Sequence, residues 1–299
     1  MSDRKEKIFD AGFHRRLKGL ELMARRIAEG TPGGQRRSRR IGDGLEFADH
    51  RDYSPGDDVR FVDWPYYARM EKLLIRLFHR QGDSRVAILL DVSGSMGPAG
   101  ADDRKFIYAL QTAAALGAIA MGAMDRLEVL ALPAEGPGLS VGRGQARLGA
   151  LLEMLASLAP AGPTDLLDPV SRWARTRHET THCLLISDLL EQGEAMGPLL
   201  RRLSAARCPG TVIHLYSPED ASPQARGPVQ LQCAESGQEL KLDASEQLVE
   251  AYRAAWRQWA GSMERLATTA GADYVRAPCD VPFEKLVLGT LRRSGVIRR

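Results

Sequence analysis

A chain of 299 residues with 44% apolar and 26% charged side chains can bury a sizeable core, which excludes a disordered protein and fits one large domain plus an appendage. Its net charge of only +3 argues against a wholly basic nucleic-acid binder. The cysteines Cys183, Cys208, Cys233 and Cys279 form no Cys-x-x-Cys pair, and the Met-Ser-Asp-Arg-Lys-Glu-Lys start lacks a signal peptide's apolar stretch, so a reducing, cytoplasmic setting is expected.

Residues 1–83 read as an irregular N-terminal module. A basic amphipathic helix is predicted over Phe13 to Glu29, with Leu17, Leu20, Met23 and Ile27 on one side, and is expected to pack on its own domain rather than on a membrane. The break Thr31-Pro32-Gly33-Gly34 ends it. The cluster Arg36, Arg37, Arg39 and Arg40 is expected to be a solvated loop rather than a nucleic-acid contact. The segment Tyr53 to Trp64 is dense in Asp and Arg, so Asp57, Asp58 and Asp63 are expected to pair with Arg51, Arg60 and Arg69. Tyr53 and Trp64 are expected to anchor the module.

From residue 84 to 299 strand and helix signals alternate, which predicts an α/β domain with a mostly parallel central sheet flanked by helices. The expected strands are Arg85 to Leu90, Leu127 to Leu132, a weak edge near Gly138 to Arg143, Cys183 to Ser187, Thr211 to Tyr216 and Asp273 to Arg276. The expected helices are Arg104 to Met124, Arg147 to Leu158, Leu166 to Arg175, Ala195 to Ala206, Glu246 to Ala270 and Phe283 to Arg293. The stretch Phe106 to Met124 barely reaches the ~20 residues of a membrane span and reads as a core helix. Val229 to Cys233 and Glu239 to Asp243, flanking Ser236-Gly237, predict a β-hairpin insertion over about 227–243.

The apolar run Val86 to Leu90 ends abruptly in Asp91-Val-Ser93-Gly-Ser95-Met-Gly97. In a doubly wound sheet, loops at the C-terminal ends of neighbouring strands meet in one crevice. Asp91, Ser93, Ser95, Thr164 in Gly162-Pro163-Thr164-Asp165, and Asp188 after Cys183-Leu-Leu-Ile-Ser187 are therefore expected to surround one point. Two carboxylates with hydroxyls suit Mg²⁺ or Mn²⁺, and no His/Cys set stands nearby for zinc or copper. The hydroxyls of Ser93 and Ser95 could instead cap a helix after the strand, a reading favoured only without Thr164, Asp188 and the upstream segment, and Thr164 before Leu166 suits either role. Asp165 is read as a helix first-turn acid. His178 and His182 are four apart but straddle a helix end and a strand start, which is weak for a metal pair.

The Asp91-x-Ser93-x-Ser95 strand end, a later Thr164 and a later Asp188 resemble the metal-ion-dependent adhesion site of von Willebrand factor A domains. Upstream, Gly42-Asp-Gly-Leu-Glu46-Phe47-Ala-Asp49-His-Arg51-Asp-Tyr53-Ser-Pro55-Gly56-Asp57-Asp58-Val-Arg60-Phe-Val-Asp63-Trp64, followed by Ala68-Arg69, resembles the signature of domain of unknown function 58. Gln81-Gly82 departs from the acidic pair of that family. The resemblance implies a von Willebrand A-like, Rossmann-type sheet carrying a metal site at the five residues above. It further implies a cytoplasmic adaptor or co-chaperone, without stable membrane insertion, that works with a MoxR-type AAA+ ATPase. An acidic residue of a partner protein would complete the metal's shell.

That reading is non-catalytic. The rival is a serine hydrolase, since Ser93-Gly94-Ser95-Met96-Gly97 lacks only the first glycine of a nucleophile elbow, with Asp188 and His214 as conceivable partners of Ser95. No Gly-x-x-x-x-Gly-Lys-Ser/Thr loop is present to hold a triphosphate.

Overall fold

The computed structural model describes residues 2–29, 41–42, 46–54, 57–79, 84–97, 103–132, 139–176, 182–190, 195–205, 208 and 210–293. The Arg36–Arg40 cluster, Gln81-Gly82 and His178 lie outside the described residues.

Helices α1 (Ser2–Ile8) and α2 (Ala11–Glu29) open the chain, and Asp10 between them accepts a hydrogen bond from the Phe13 amide at 2.6 Å. A three-stranded antiparallel sheet follows, in the order β1-β3-β2, from β1 (Ile41–Gly42), β2 (Glu46–Asp52) and β3 (Leu74–His79), with α3 (Trp64–Met70) preceding β3. This sheet corrects the expectation of an irregular module. The polar string of β2 conceals a strand that backbone pairing along β3 defines.

Three contacts pin the connection between β2 and β3. Arg51 meets Asp57 at 2.8 Å and Arg60 meets Asp58 at 2.5 Å, as the charge pattern suggests. Asp63 instead meets His50 at 2.8 Å and accepts from the Tyr66 amide at 3.0 Å, which caps α3, while Arg69 donates to the Pro65 carbonyl. Trp64 is 55% exposed and stacks edge-on with Tyr67, so it does not anchor the module.

The remaining chain supplies β4 (Arg85–Asp91), α4 (Arg104–Gly122), β5 (Arg126–Leu132), β6 (Leu139–Gly142), α5 (Leu148–Ser157), α6 (Leu167–Thr176), β7 (His182–Ser187), α7 (Met196–Ala205), β8 (Gly210–Tyr216), α8 (Pro218–Ala221), β9 (Gly227–Gln232), β10 (Glu239–Ala244), α9 (Glu246–Thr269), β11 (Asp273–Pro278) and α10 (Phe283–Arg293). Six of these strands form one sheet in the order β11-β8-β7-β4-β5-β6. All neighbours are parallel except β5 and β6. The pair β9 and β10 forms the separate hairpin.

The apolar run of β4 is buried on both faces, as the central strand of a parallel sheet must be. Ile88 and Leu90 belong to one core cluster, with residues of α1, α2, α4, α5 and α10; Ala87 and Leu89 belong to the other, with residues of α6, α7 and α9. Phe13, Leu17, Leu20 and Ala24 recur at helical spacing, and this stripe of α2 is buried against α4 and α10, with the Phe13 and Phe283 rings 5.4 Å apart. Among the described helices only α4 is long and apolar enough to cross a membrane, and it lies buried in the first of these clusters.

Candidate functional site

The chain leaves β4 and β7 in opposite directions: β4 leads through α4 to β5 on one side, and β7 through α7 to β8 on the other. Such a switch point opens a crevice at the C-terminal strand ends. Asp91 ends β4 and Asp188 follows β7, so both acids stand at this point of the sheet, 0% and 1% exposed.

Each side chain there has a definite partner. Asp91 accepts from the Ser93 amide at 2.9 Å and from the Ser187 hydroxyl at 2.6 Å. The Ser93 and Ser95 hydroxyl oxygens are 3.1 Å apart, and Ser95 donates to Oδ1 of Asp188 at 3.2 Å. Ser93 precedes the short 3-10 turn Gly94–Met96 yet makes no side-chain cap bond, so its hydroxyl turns to the crevice chain of oxygens rather than to a helix end.

Thr164 reaches the same edge because its loop is stitched to the serine loop. Ala161 donates to the Val92 carbonyl and Gly94 to the Gly162 carbonyl, each at 2.8 Å. The Thr164 amide donates to Oε2 of Glu235 at 2.7 Å and its hydroxyl to Oε1 of the same carboxylate. Asp165 accepts from the Asp168 amide, 3.4 Å away, at the start of α6.

The sequence reading missed four residues here: Ser187, Lys105, Asp220 and Glu235. Lys105, in the first turn of α4, donates to Oδ2 of Asp188 at 2.8 Å and lies 3.4 Å from Asp220. Asp220 sits in the capping box of α8, with Ser217, directly after β8. An acid just beyond a third strand end was the available signal for it. Lys105 and Glu235 join the site only through contacts 83 and 71 residues apart in sequence, which no local pattern announces.

The electrostatics follow from burial. Loss of water, and then the neighbouring Asp188 charge, push Asp91 up to about 6, against the hydrogen bonds from Ser187 and Ser93. Burial opposes the charge of Lys105, but Asp188 and Asp220 together hold it above the ordinary lysine range. Asp188 is thus paired with a cation on one oxygen and with a hydroxyl on the other. Among the described residues, the carboxylates of Asp91, Asp188 and Asp220 share the ammonium of Lys105.

Among the described residues no group of three or more His, Cys, Asp or Glu side chains is arranged to hold a metal. A set of two carboxylates and three hydroxyls is of another kind. Neighbouring oxygens around a six-coordinate Mg²⁺ with bonds of about 2.1 Å are about 3.0 Å apart. The steps Ser93 to Ser95 and Ser95 to Asp188, 3.1 and 3.2 Å, are hydrogen-bond distances close to that edge length, and all three oxygens are hard donors of the kind Mg²⁺ takes. Both oxygens of Asp91 accept hydrogen bonds, from the Ser93 amide and the Ser187 hydroxyl, and both oxygens of Asp188 accept as well, from Ser95 and Lys105.

The triad of a serine hydrolase is not assembled. His214 is buried beneath α9 among Trp256, Trp259 and Tyr274, and its Nδ1 pairs with the Tyr274 hydroxyl at 2.5 Å. Burial, with Arg276 nearby, pushes it down to about 4. The Ser95 hydroxyl is engaged by Ser93 and Asp188, not by an imidazole.

Fold and site together define an α/β protein with a mostly parallel, helix-flanked sheet and a crevice of hydroxyls and acids at its switch point. The chain belongs to the family described as protein of unknown function DUF58, which matches residues 49–260. No curated protein matches it. Among solved structures it is similar to the conserved hypothetical protein BatB of Bacteroides thetaiotaomicron, at 12% identity and a TM-score of 0.44, covering 71% of this chain and 99% of that one. A second is an aerotolerance-related membrane protein of Bacteroides fragilis carrying multiple mutations to serines, at 15% identity and a TM-score of 0.44, covering 69% and 96%. A third, at 13% identity and a TM-score of 0.24, is an uncharacterized membrane spanning protein of Vibrio fischeri, covering 70% and 97%.

Proposed function

We propose that the chain is a non-catalytic, divalent-metal-dependent protein-interaction module, and that Asp91, Ser93, Ser95, Thr164 and Asp188 form its metal site. The observation that carries this reading is the run of oxygens Ser93 Oγ, Ser95 Oγ and Asp188 Oδ1 at octahedral-edge spacing. Ser93, Ser95 and Asp188 would hold Mg²⁺ or Mn²⁺, with Asp91 and Thr164 around them. The bound ion supplies an electrophilic position for one carboxylate of a partner protein. Lys105 offsets part of the acid charge, so an ion held there would keep affinity for a further anion.

The von Willebrand A-like character of the sheet belongs to this proposal, as does the partner. A MoxR-type AAA+ ATPase is proposed as that partner, with the chain as its cytoplasmic adaptor or co-chaperone; this rests on the resemblance carried by residues 53–64. No nucleic acid takes part in the scheme.

Calorimetric titration of Mg²⁺ and Mn²⁺ into metal-free wild type and Asp91→Ala, with and without a MoxR-type ATPase from the same genome, tests it. Metal binding lost in the variant and association that needs metal are expected. Association indifferent to both metal and substitution would overturn the bridging role.

A further inference from the structure

The hairpin of β9 and β10 leans on the domain at its tip. Its arms are largely exposed, Leu231 at 50% and Leu240 at 58%, although leucines in a strand pair normally find a covered face. The tip is a compact turn, closed by the Cys233 amide on the Gln238 carbonyl at 2.8 Å and the Gly237 amide on the Cys233 carbonyl at 2.9 Å. Gly237 adopts a positive φ of 70° there, which a side chain would resist. Glu235 stands at the apex of this turn.

Two contacts seat the tip, one on the Thr164 loop and one on the serine loop. Both carboxylate oxygens of Glu235 grip Thr164, one on its amide and one on its hydroxyl. The Ala234 carbonyl fills the space over Gly94, where a Cβ would come within 2.9 Å of it. Gly94 lies between Ser93 and Ser95, so the tip covers the loop that supplies the hydroxyls.

We propose that the hairpin is a built-in latch: Glu235 occupies the seat that a partner's carboxylate takes, and a partner must lift the tip before it can bind. This inference rests on the reading of the crevice as a carboxylate-accepting site. It adds what holds that site closed. The partner feature that fits is an acidic residue at the apex of a tight turn, the shape the tip itself has. The hairpin suits a moving part because its exposed arms bury little on the domain, so release costs chiefly the tip contacts.

The test uses the full chain as wild type, Glu235→Ala and Glu235→Gln. Hydrogen exchange at the Thr164 amide is read first. It should be at least about tenfold faster in Glu235→Ala, the size of losing one charge-assisted hydrogen bond, and intermediate in Glu235→Gln. A cyclised peptide copying residues 230–240 is then titrated in excess Mn²⁺. It should bind Glu235→Ala at least about tenfold more tightly than wild type, because the competing carboxylate is gone. Unchanged Thr164 exchange together with equal peptide affinity would overturn the latch. Separate Mn²⁺ titrations distinguish the two readings. Mn²⁺ binding to neither protein removes the metal reading and the latch with it; Mn²⁺ binding with unchanged exchange and equal peptide affinity removes only the latch.

Discussion

Lys105 donates to Oδ2 of Asp188 at 2.8 Å while Ser95 donates to Oδ1 of the same carboxylate, so one buried acid joins the first turn of α4 to the serine loop. The Lys105 side chain is 9% exposed and that of Asp188 1%, so the pair is largely shielded from water.

Removing one partner of such a pair strands the other. Lys105→Met is expected to cost about 3–5 kcal/mol, since Asp188 and Asp220 lose their cation beside Asp91. Urea denaturation of the metal-free protein measures it. A loss under about 1 kcal/mol would mean that the acids share protons or water instead.

Gly94→Ala probes the contact between loop and hairpin. The added Cβ would lie 2.9 Å from the Ala234 carbonyl and 3.2 Å from that of Gly162, both backbone atoms with little room to give. The tip is expected to shift and expose Glu235. Faster amide exchange at Thr164 reports this, and unaltered protection would contradict the packing described.

Trp64 illustrates a residue that composition misjudged. With 55% exposure, its truncation in Trp64→Ala is expected to change stability by no more than about 0.5 kcal/mol by urea denaturation. A larger loss would restore the anchoring role that its sequence setting suggested.

The start of α3 should respond to acid. The His50 hydrogen bond, and then the Tyr66 amide, hold Asp63 below the usual carboxylate range. A lowered value means that its contribution is present above the unfolded pKa and is lost as pH falls through the folded one. Exchange at the Tyr66 amide should therefore rise only in strongly acid solution. In Asp63→Asn that acid step should vanish, and a step that persists would assign it to another group.

Much of this was legible because apolar runs and helical spacing reflect burial directly. The run Val86 to Leu90 reads as a central strand because a strand covered on both faces has no polar side to show. Asp91 and Asp188 follow from topology, since parallel strands bring their C-terminal ends together. Trp64 and the strand β2 escaped because composition does not say which side of a small sheet faces water. The seat of Glu235 on Thr164 escaped for a different reason. The turn was visible at Ser236-Gly237, but where a hairpin's tip lands is fixed by the fold around it and not by its own residues.

The most direct test of the central claim is anomalous diffraction from crystals soaked in Mn²⁺. The account predicts a peak at bonding distance from the Ser93 and Ser95 hydroxyls, beside Asp188, absent in Asp91→Ala. Saturating Mn²⁺ with no peak at this crevice would contradict it.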